Sequence, residues 1–194
     1  VDGENMTPET SVEESPLEVV NIVGSGDLGL ELDLAQVTKD VDVHEAKYEE
    51  GTGSAFLKVE EDSGLVILYR SGKYIVRGGK EFEKLYRTNE EFLEVIRELG
   101  IIEDTLAPSF RINNLVFVGT LGYTVELDAL VVQLGLENAE FEPEQFPGLV
   151  YRPDEFDCVL LVFGSGKVII TGSDDIDEAV EAYESLKQEI DKII

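Results

Sequence analysis

Val66-Ile67-Leu68-Tyr69-Arg70-Ser71-Gly72-Lys73-Tyr74-Ile75-Val76 returns later in the chain as Leu160-Leu161-Val162-Phe163-Gly164-Ser165-Gly166-Lys167-Val168-Ile169-Ile170. In both copies Ser-Gly is a turn dipeptide between runs of β-branched and aliphatic residues, the pattern of a β-hairpin. Working outward, the same order of signals surrounds each copy. A short apolar strand containing asparagine opens each half, Val19–Val23 and Asn114–Val118. A helical segment follows, Leu32–Val41 and Leu127–Leu136, then strands near Ala46–Tyr48 and Ala139–Phe141, a loop, and strands at Phe56–Val59 and Leu149–Arg152. After the hairpin each half closes on an amphipathic helix, about Glu83–Leu99 and Asp175–Ile193. Two copies of one αβ unit, 17–104 and 105–194, therefore build the domain. The hairpin strands are apolar on both faces, so something must cover the second face: helices on both sides, a paired chain or a ligand.

Composition narrows the function. The 194 residues hold 15 Lys+Arg against 42 Asp+Glu, a net charge of −27, with 43% hydrophobic residues. That is a globular composition, and overall charge gives no grip on nucleic acid. The acid is spread evenly, 10 basic and 25 acidic residues in 1–104 against 5 and 17 in 105–194, as in proteins adapted to a salt-saturated cytoplasm. Leu65–Arg87 is the exception, its six basic residues facing only Glu81 and Glu83. One cysteine, Cys158, and one histidine, His44, leave no disulfide framework and no His/Cys zinc cluster. No apolar run is long enough to span a membrane, so a soluble, cytoplasmic protein is expected. Residues 1–16 are polar and acidic and read as a tail, with Val1–Asn5 expression-derived and Met6 the native start.

Candidate chemistry is sparse. Gly24-Ser25-Gly26-Asp27-Leu28-Gly29 fits a dinucleotide fingerprint, but antiparallel hairpins follow where a parallel crossover is required. Asp174 and Asp175 sit where a helix begins and suit its positive end. Nothing pairs a nucleophile with a base, so no enzyme, cofactor or metal is expected.

The string Glu140-Phe141-Glu142-Pro143-Glu144-Gln145-Phe146-Pro147-Gly148-Leu149-Val150-Tyr151-Arg152, followed by Val159–Gly172, resembles the TATA-box-binding protein family, above all its archaeal and halophilic members. With the duplication, the resemblance spans roughly 17–193. It implies an α+β saddle: a curved, ten-stranded antiparallel sheet with four helices on the convex face and promoter DNA in its minor groove under the concave one. It further implies that Phe146 and Phe163 wedge between base pairs and that Asn114 and Thr171 meet the groove floor. Val116, Leu161 and Ile169 would form the apolar floor, and Arg152 and Lys167 would contact phosphates. In the first repeat Asn21, Val23, Ile67, Ile75 and Lys73 match. Gly53 stands at the first wedge, Tyr69 at the second and Arg77 at the central threonine. Glu142, Glu144 and Gln145 match the loop that holds the factor-IIB homologue, through which RNA polymerase is recruited; whether chains free of DNA form a homodimer through their saddles is left open by the sequence. The alternative is a paralogue that has lost DNA and binds only the factor-IIB homologue, as a regulator or decoy.

Overall fold

A computed structural model describes residues 15–194. Of the expected tail only Ser15 and Pro16 fall within it; the reading of Val1–Asn5 and Met6 lies outside the described residues. The first half runs β1 (Leu17–Asp27), α1 (Leu34–Asp40), β2 (Glu45–Glu49), β3 (Ser54–Lys58), β4 (Leu65–Tyr69), β5 (Lys73–Gly79) and α2 (Phe82–Glu98). The second repeats the order with β6 (Phe110–Thr120), α3 (Leu127–Leu134), β7 (Ala139–Glu140), β8 (Gly148–Tyr151), β9 (Val159–Phe163), β10 (Lys167–Ser173) and α4 (Ile176–Asp191). All ten strands form one antiparallel sheet in the order β2-β3-β4-β5-β1-β6-β10-β9-β8-β7. The order reads the same from either edge, with the join between β1 and β6. This is the expected α+β saddle of two repeats.

The repeated hairpins close by the same geometry. Gly72 N–H donates to Tyr69 O and Gly166 N–H to Phe163 O, at 2.9 and 2.8 Å, with φ of 85° and 88°. Only glycine enters that region without strain. A Cβ on Gly166 would also sit 2.0 Å from Tyr123 O. The loop before each first helix is laced to its hairpin in matching fashion, Leu28 N–H to Gly72 O and Leu121 N–H to Gly166 O.

Alternation divides the sheet into two faces. Ile22, Val66, Leu68, Tyr74, Val76, Leu115, Phe117, Leu160, Val162, Val168 and Ile170 are buried in one core with Val37, Phe92, Leu130 and Leu186 from the four helices. All four helices therefore cover one face, and among the described residues no second layer of helices covers the other. The core also reaches past Val23, where the sequence places the end of the first strand. Gly24 and Gly26 continue β1 because bulk is forbidden there: a Cβ would lie 2.3 Å from the Phe110 ring and 2.4 Å from the Tyr74 ring. The glycine fingerprint is thus a strand that admits two aromatic rings, stacked with centroids 6.3 Å apart. Asp175 caps α4 by accepting from Asp177 N–H and Glu178 N–H, as its place at a helix start suggested.

Candidate nucleic-acid interface

The residues skipped by the core form the other face. Cross-strand register pairs Ile67 with Ile75, Val23 with both Arg77 and Asn114, Asn21 with Val116, and Leu161 with Ile169. Side chains directly opposite in a sheet share a face. Thus Asn21, Val23, Ile67, Ile75, Arg77, Asn114, Val116, Leu161, Ile169 and Thr171, drawn from six strands, come together on one surface. Most of its apolar members are half-buried, and none belongs to the core beneath. Tyr69 and Phe163 end β4 and β9 on the same face; Lys73 and Lys167 begin β5 and β10. Arg152 follows β8 and reaches Glu140 at 3.5 Å. Glu142, Glu144 and Gln145 lie apart, exposed in the loop between β7 and β8.

At the second-repeat end Phe146 and Phe163 meet edge to face, with ring centroids 5.7 Å apart. Phe146 is held by a turn, its N–H donating to Glu142 O at 3.0 Å, while Phe163 stands opposite Gly148. Glycine is needed there, since a Cβ would lie 2.7 Å from the Phe146 ring and 3.1 Å from the Phe163 ring. The first repeat keeps the turn but not the rings. Gly53 N–H donates to Glu49 O at 2.9 Å, so Gly53 occupies the place of Phe146, and Ser54 stands opposite Tyr69. Phe56 pairs with Ile67 and Lys47 in the middle of the face, the position of Val150 opposite Leu161, and supplies floor rather than wedge.

Near the centre, Asn114 Oδ1 accepts from Gly172 N–H at 2.9 Å and Thr171 Oγ1–H at 3.4 Å. With its oxygen engaged, Asn114 presents its two amide donors outward. Arg77, at the place of Thr171, is exposed and has no carboxylate within 4.0 Å among the described residues. Lys58, Lys73, Arg111 and Lys167, all on this face by register, likewise have no carboxylate within 4.0 Å among the described residues; Lys58 is half-buried and the other three are exposed. Acids near the margins of the face are Glu45 opposite Lys58, Glu140 opposite Val150 and Glu49, which pairs with Lys47. On the central strand β1 the face also carries Asp27, opposite Lys73, and Glu18, opposite Val118 and paired with Lys80. Sequence reasoning missed Phe56, Lys58, Arg111, Val118 and Val150 on this surface. Alternation along β3, β6 and β8 would have found Phe56, Lys58, Val118 and Val150, whereas Arg111 lies beyond an irregularity at Asn113 that only the pairing with β1 reveals.

Apart from this face, the molecule offers little chemistry. Cys158 is buried, its thiol pushed up to about 11 chiefly by desolvation, with Glu178 and Asp157 adding to it. Among the described residues no three of His, Cys, Asp and Glu could hold a metal ion, and no helix is long and apolar enough to cross a membrane.

A duplicated sheet with helices on one side and an uncovered apolar face with central polar donors on the other defines a saddle-type protein that works through its sheet. The family described as "Transcription factor TFIID (or TATA-binding protein, TBP)" matches residues 16–99 and 109–193, and the chain belongs to it. It is 44% identical to TATA-box-binding protein C of Halobacterium salinarum over 92% of this chain and 99% of the relative. It is 35% identical to the TATA-box-binding protein of Archaeoglobus fulgidus, over 90% and 94%. Among solved structures, Methanococcus jannaschii TBP matches with a TM-score of 0.73 at 32% identity, over 91% of this chain and 98% of that one.

Proposed function

We propose that the chain is a general transcription initiation factor that binds A·T-rich promoter DNA in the minor groove, bends it and recruits a factor-IIB homologue and, through it, RNA polymerase. The observation that carries this reading is the uncovered sheet face: an apolar row, donors at its middle and two abutting phenylalanines at one end. Val23, Ile67, Ile75, Val116, Leu161 and Ile169 pack on sugars and base edges. Such a surface excludes water from a groove too shallow in information to be read by many hydrogen bonds. Asn21, Asn114 and Thr171 meet the acceptors of the groove floor, and Lys73, Lys167 and Arg152 hold phosphates. Phe146 and Phe163 insert between base pairs, replacing lost stacking with their own flat faces. In the first repeat Tyr69 and Arg77 take the corresponding places with different chemistry. The exposed Glu142, Glu144 and Gln145 offer a carboxylate-rich loop to the factor-IIB homologue.

A duplex carrying a TATA element, labelled at both ends for energy transfer and titrated in high KCl with and without the factor-IIB homologue, tests the reading. Bending of this duplex and not of a scrambled one is the expected result. Absence of binding under every condition, with the partner still captured in solution, would leave only the partner-binding reading.

A further inference from the structure

The two halves of the open face, alike in backbone, differ in chemistry. Of the five basic side chains on it without a carboxylate within 4.0 Å, three lie on first-repeat strands, Lys58, Lys73 and Arg77, and two on second-repeat strands, Arg111, opposite Ser25 across the join, and Lys167. The aromatic pair is found only in the second-repeat half. A chain with 42 acids has left these cations unpaired on one side of one sheet. At the centre the difference is sharpest. Thr171 gives its hydroxyl proton to Asn114, whereas Arg77 opposite Val23 extends a guanidinium that only donates.

Resting on the DNA-binding reading above, we propose that Arg77 is a specificity-determining residue that makes the half-site under the first repeat intolerant of guanine. The A·T minor-groove floor presents acceptors alone, and a G·C pair adds the amino donor of guanine at its centre. A guanidinium has no acceptor to meet that donor and cannot rotate its conflict away, as a hydroxyl can. A narrow, strongly negative groove, the geometry of A·T runs, further favours arginine. The second-repeat half relies on insertion by Phe146 and Phe163, which tolerates more sequences. The two half-sites are therefore read by unequal rules, the kinked end lying in one half and the guanine-sensitive stretch, beside the centre, in the other.

The test uses the full chain, an A·T site, and the same site with a G·C pair in either half, each with 2-aminopurine at one end or the other to report unstacking. For the unsubstituted chain we expect brightening at one end only. A G·C pair in the far half should weaken binding about tenfold more than one in the bright half, the discrimination of a good side-chain pair with a base. Arg77→Thr, at an exposed strand position, should keep its fold by circular dichroism and bring the two penalties within about twofold of each other. Arg77→Lys keeps a side chain that only donates and should retain most of the guanine discrimination that Arg77→Thr loses. Unequal penalties that survive in Arg77→Thr, penalties equalised by Arg77→Lys as by Thr, or brightening at both ends would overturn the proposal while leaving DNA binding intact. Failure of the unsubstituted chain to bind the A·T site would overturn the functional reading itself, and this proposal with it.

Discussion

Gly148→Ala should separate bending from folding. Gly148 has none of the positive φ values that reserve a position for glycine, so alanine brings no backbone strain. Its Cβ, however, would lie 2.7 Å from Phe146 Cε1 and 3.1 Å from Phe163 Cε1. Carbon atoms rest at about 3.5–4.0 Å, so the Phe146 ring must retreat by roughly 1 Å. Phe146 is half-exposed in a turn and can do so. The native state then loses at most the edge-to-face contact, about 0.5–1.5 kcal/mol. The complex loses more, because a wedge out of position no longer offsets an unstacking cost of a few kcal/mol per base step. We expect a urea midpoint in KCl within about 1.5 kcal/mol of the parent and a five- to thirtyfold drop in affinity (about 1–2 kcal/mol), with reduced energy transfer across a doubly labelled duplex. Full bending at parental affinity would refute the assignment of the ring pair as the wedge. A stability loss beyond about 3 kcal/mol would refute the claim that the pair sits outside the core.

Other perturbations probe the face and the core separately. Phe163→Ala should remove most of the bending, whereas Tyr69→Ala should change it little and Tyr69→Phe should improve affinity modestly, all read by the same energy-transfer assay. Gly166→Ala combines a φ of 88° with a Cβ 2.0 Å from Tyr123 O and should destabilise by about 2 kcal/mol or more in urea melts. Burial raises Tyr74 to about 12 and Cys158 to about 11, so their protonated forms are favoured in the native state. Their contribution is whole below the unfolded values near 10 and 9 and is lost as pH climbs toward 12 and 11. Melting temperature should therefore fall across pH 9–12, and the Cys158 thiol should resist alkylation at pH 8 until the chain is unfolded. Affinity for the TATA duplex should hold or rise as KCl is added, because salt screens repulsion between this chain and DNA; a steep loss from moderate to high KCl would contradict that.

Much of this was legible in the sequence, and the rest was hidden for identifiable reasons. The Ser-Gly hairpins, the two asparagine-bearing strands and the closing helices revealed the duplication because turn chemistry and periodicity are local. Gly24 and Gly26 misled because glycine signals a loop unless a neighbour demands space, and the neighbours, Phe110 and Tyr74, belong to other strands. The position of Phe56 required register: only read across β3 and β4, opposite Ile67, does it become part of the floor. The hold of Gly172 and Thr171 on Asn114 is a contact between residues far apart in sequence, so no spacing could announce it.

The charge of the molecule is reconciled with a polyanionic target by segregation. A net charge of −27 spread uniformly would repel a duplex at any approach, but at about 1 M salt the Debye length is roughly 3 Å, and charges on the helix side no longer reach the DNA. What then acts is contact, and the contact face carries Lys58, Lys73, Arg77, Arg111 and Lys167 with no carboxylate within 4.0 Å among the described residues. Its acids are few: Glu45 and Glu49 on the outermost strand, Glu140 at the other edge, and Glu18 and Asp27 at the two ends of β1. Screening that removes long-range repulsion equally removes long-range attraction, so affinity must come from apolar burial, insertion and short hydrogen bonds. These are the interactions the sheet face is built to make. The acid elsewhere then serves hydration in concentrated salt at little cost to recognition. It follows that replacing helix-face carboxylates, for example Glu94→Gln with Glu98→Gln on α2, should raise affinity at low salt and leave it unchanged at high salt. Titrations of the TATA duplex at two KCl concentrations measure both arms, and an equal gain at each would mean that the two faces are not electrically independent.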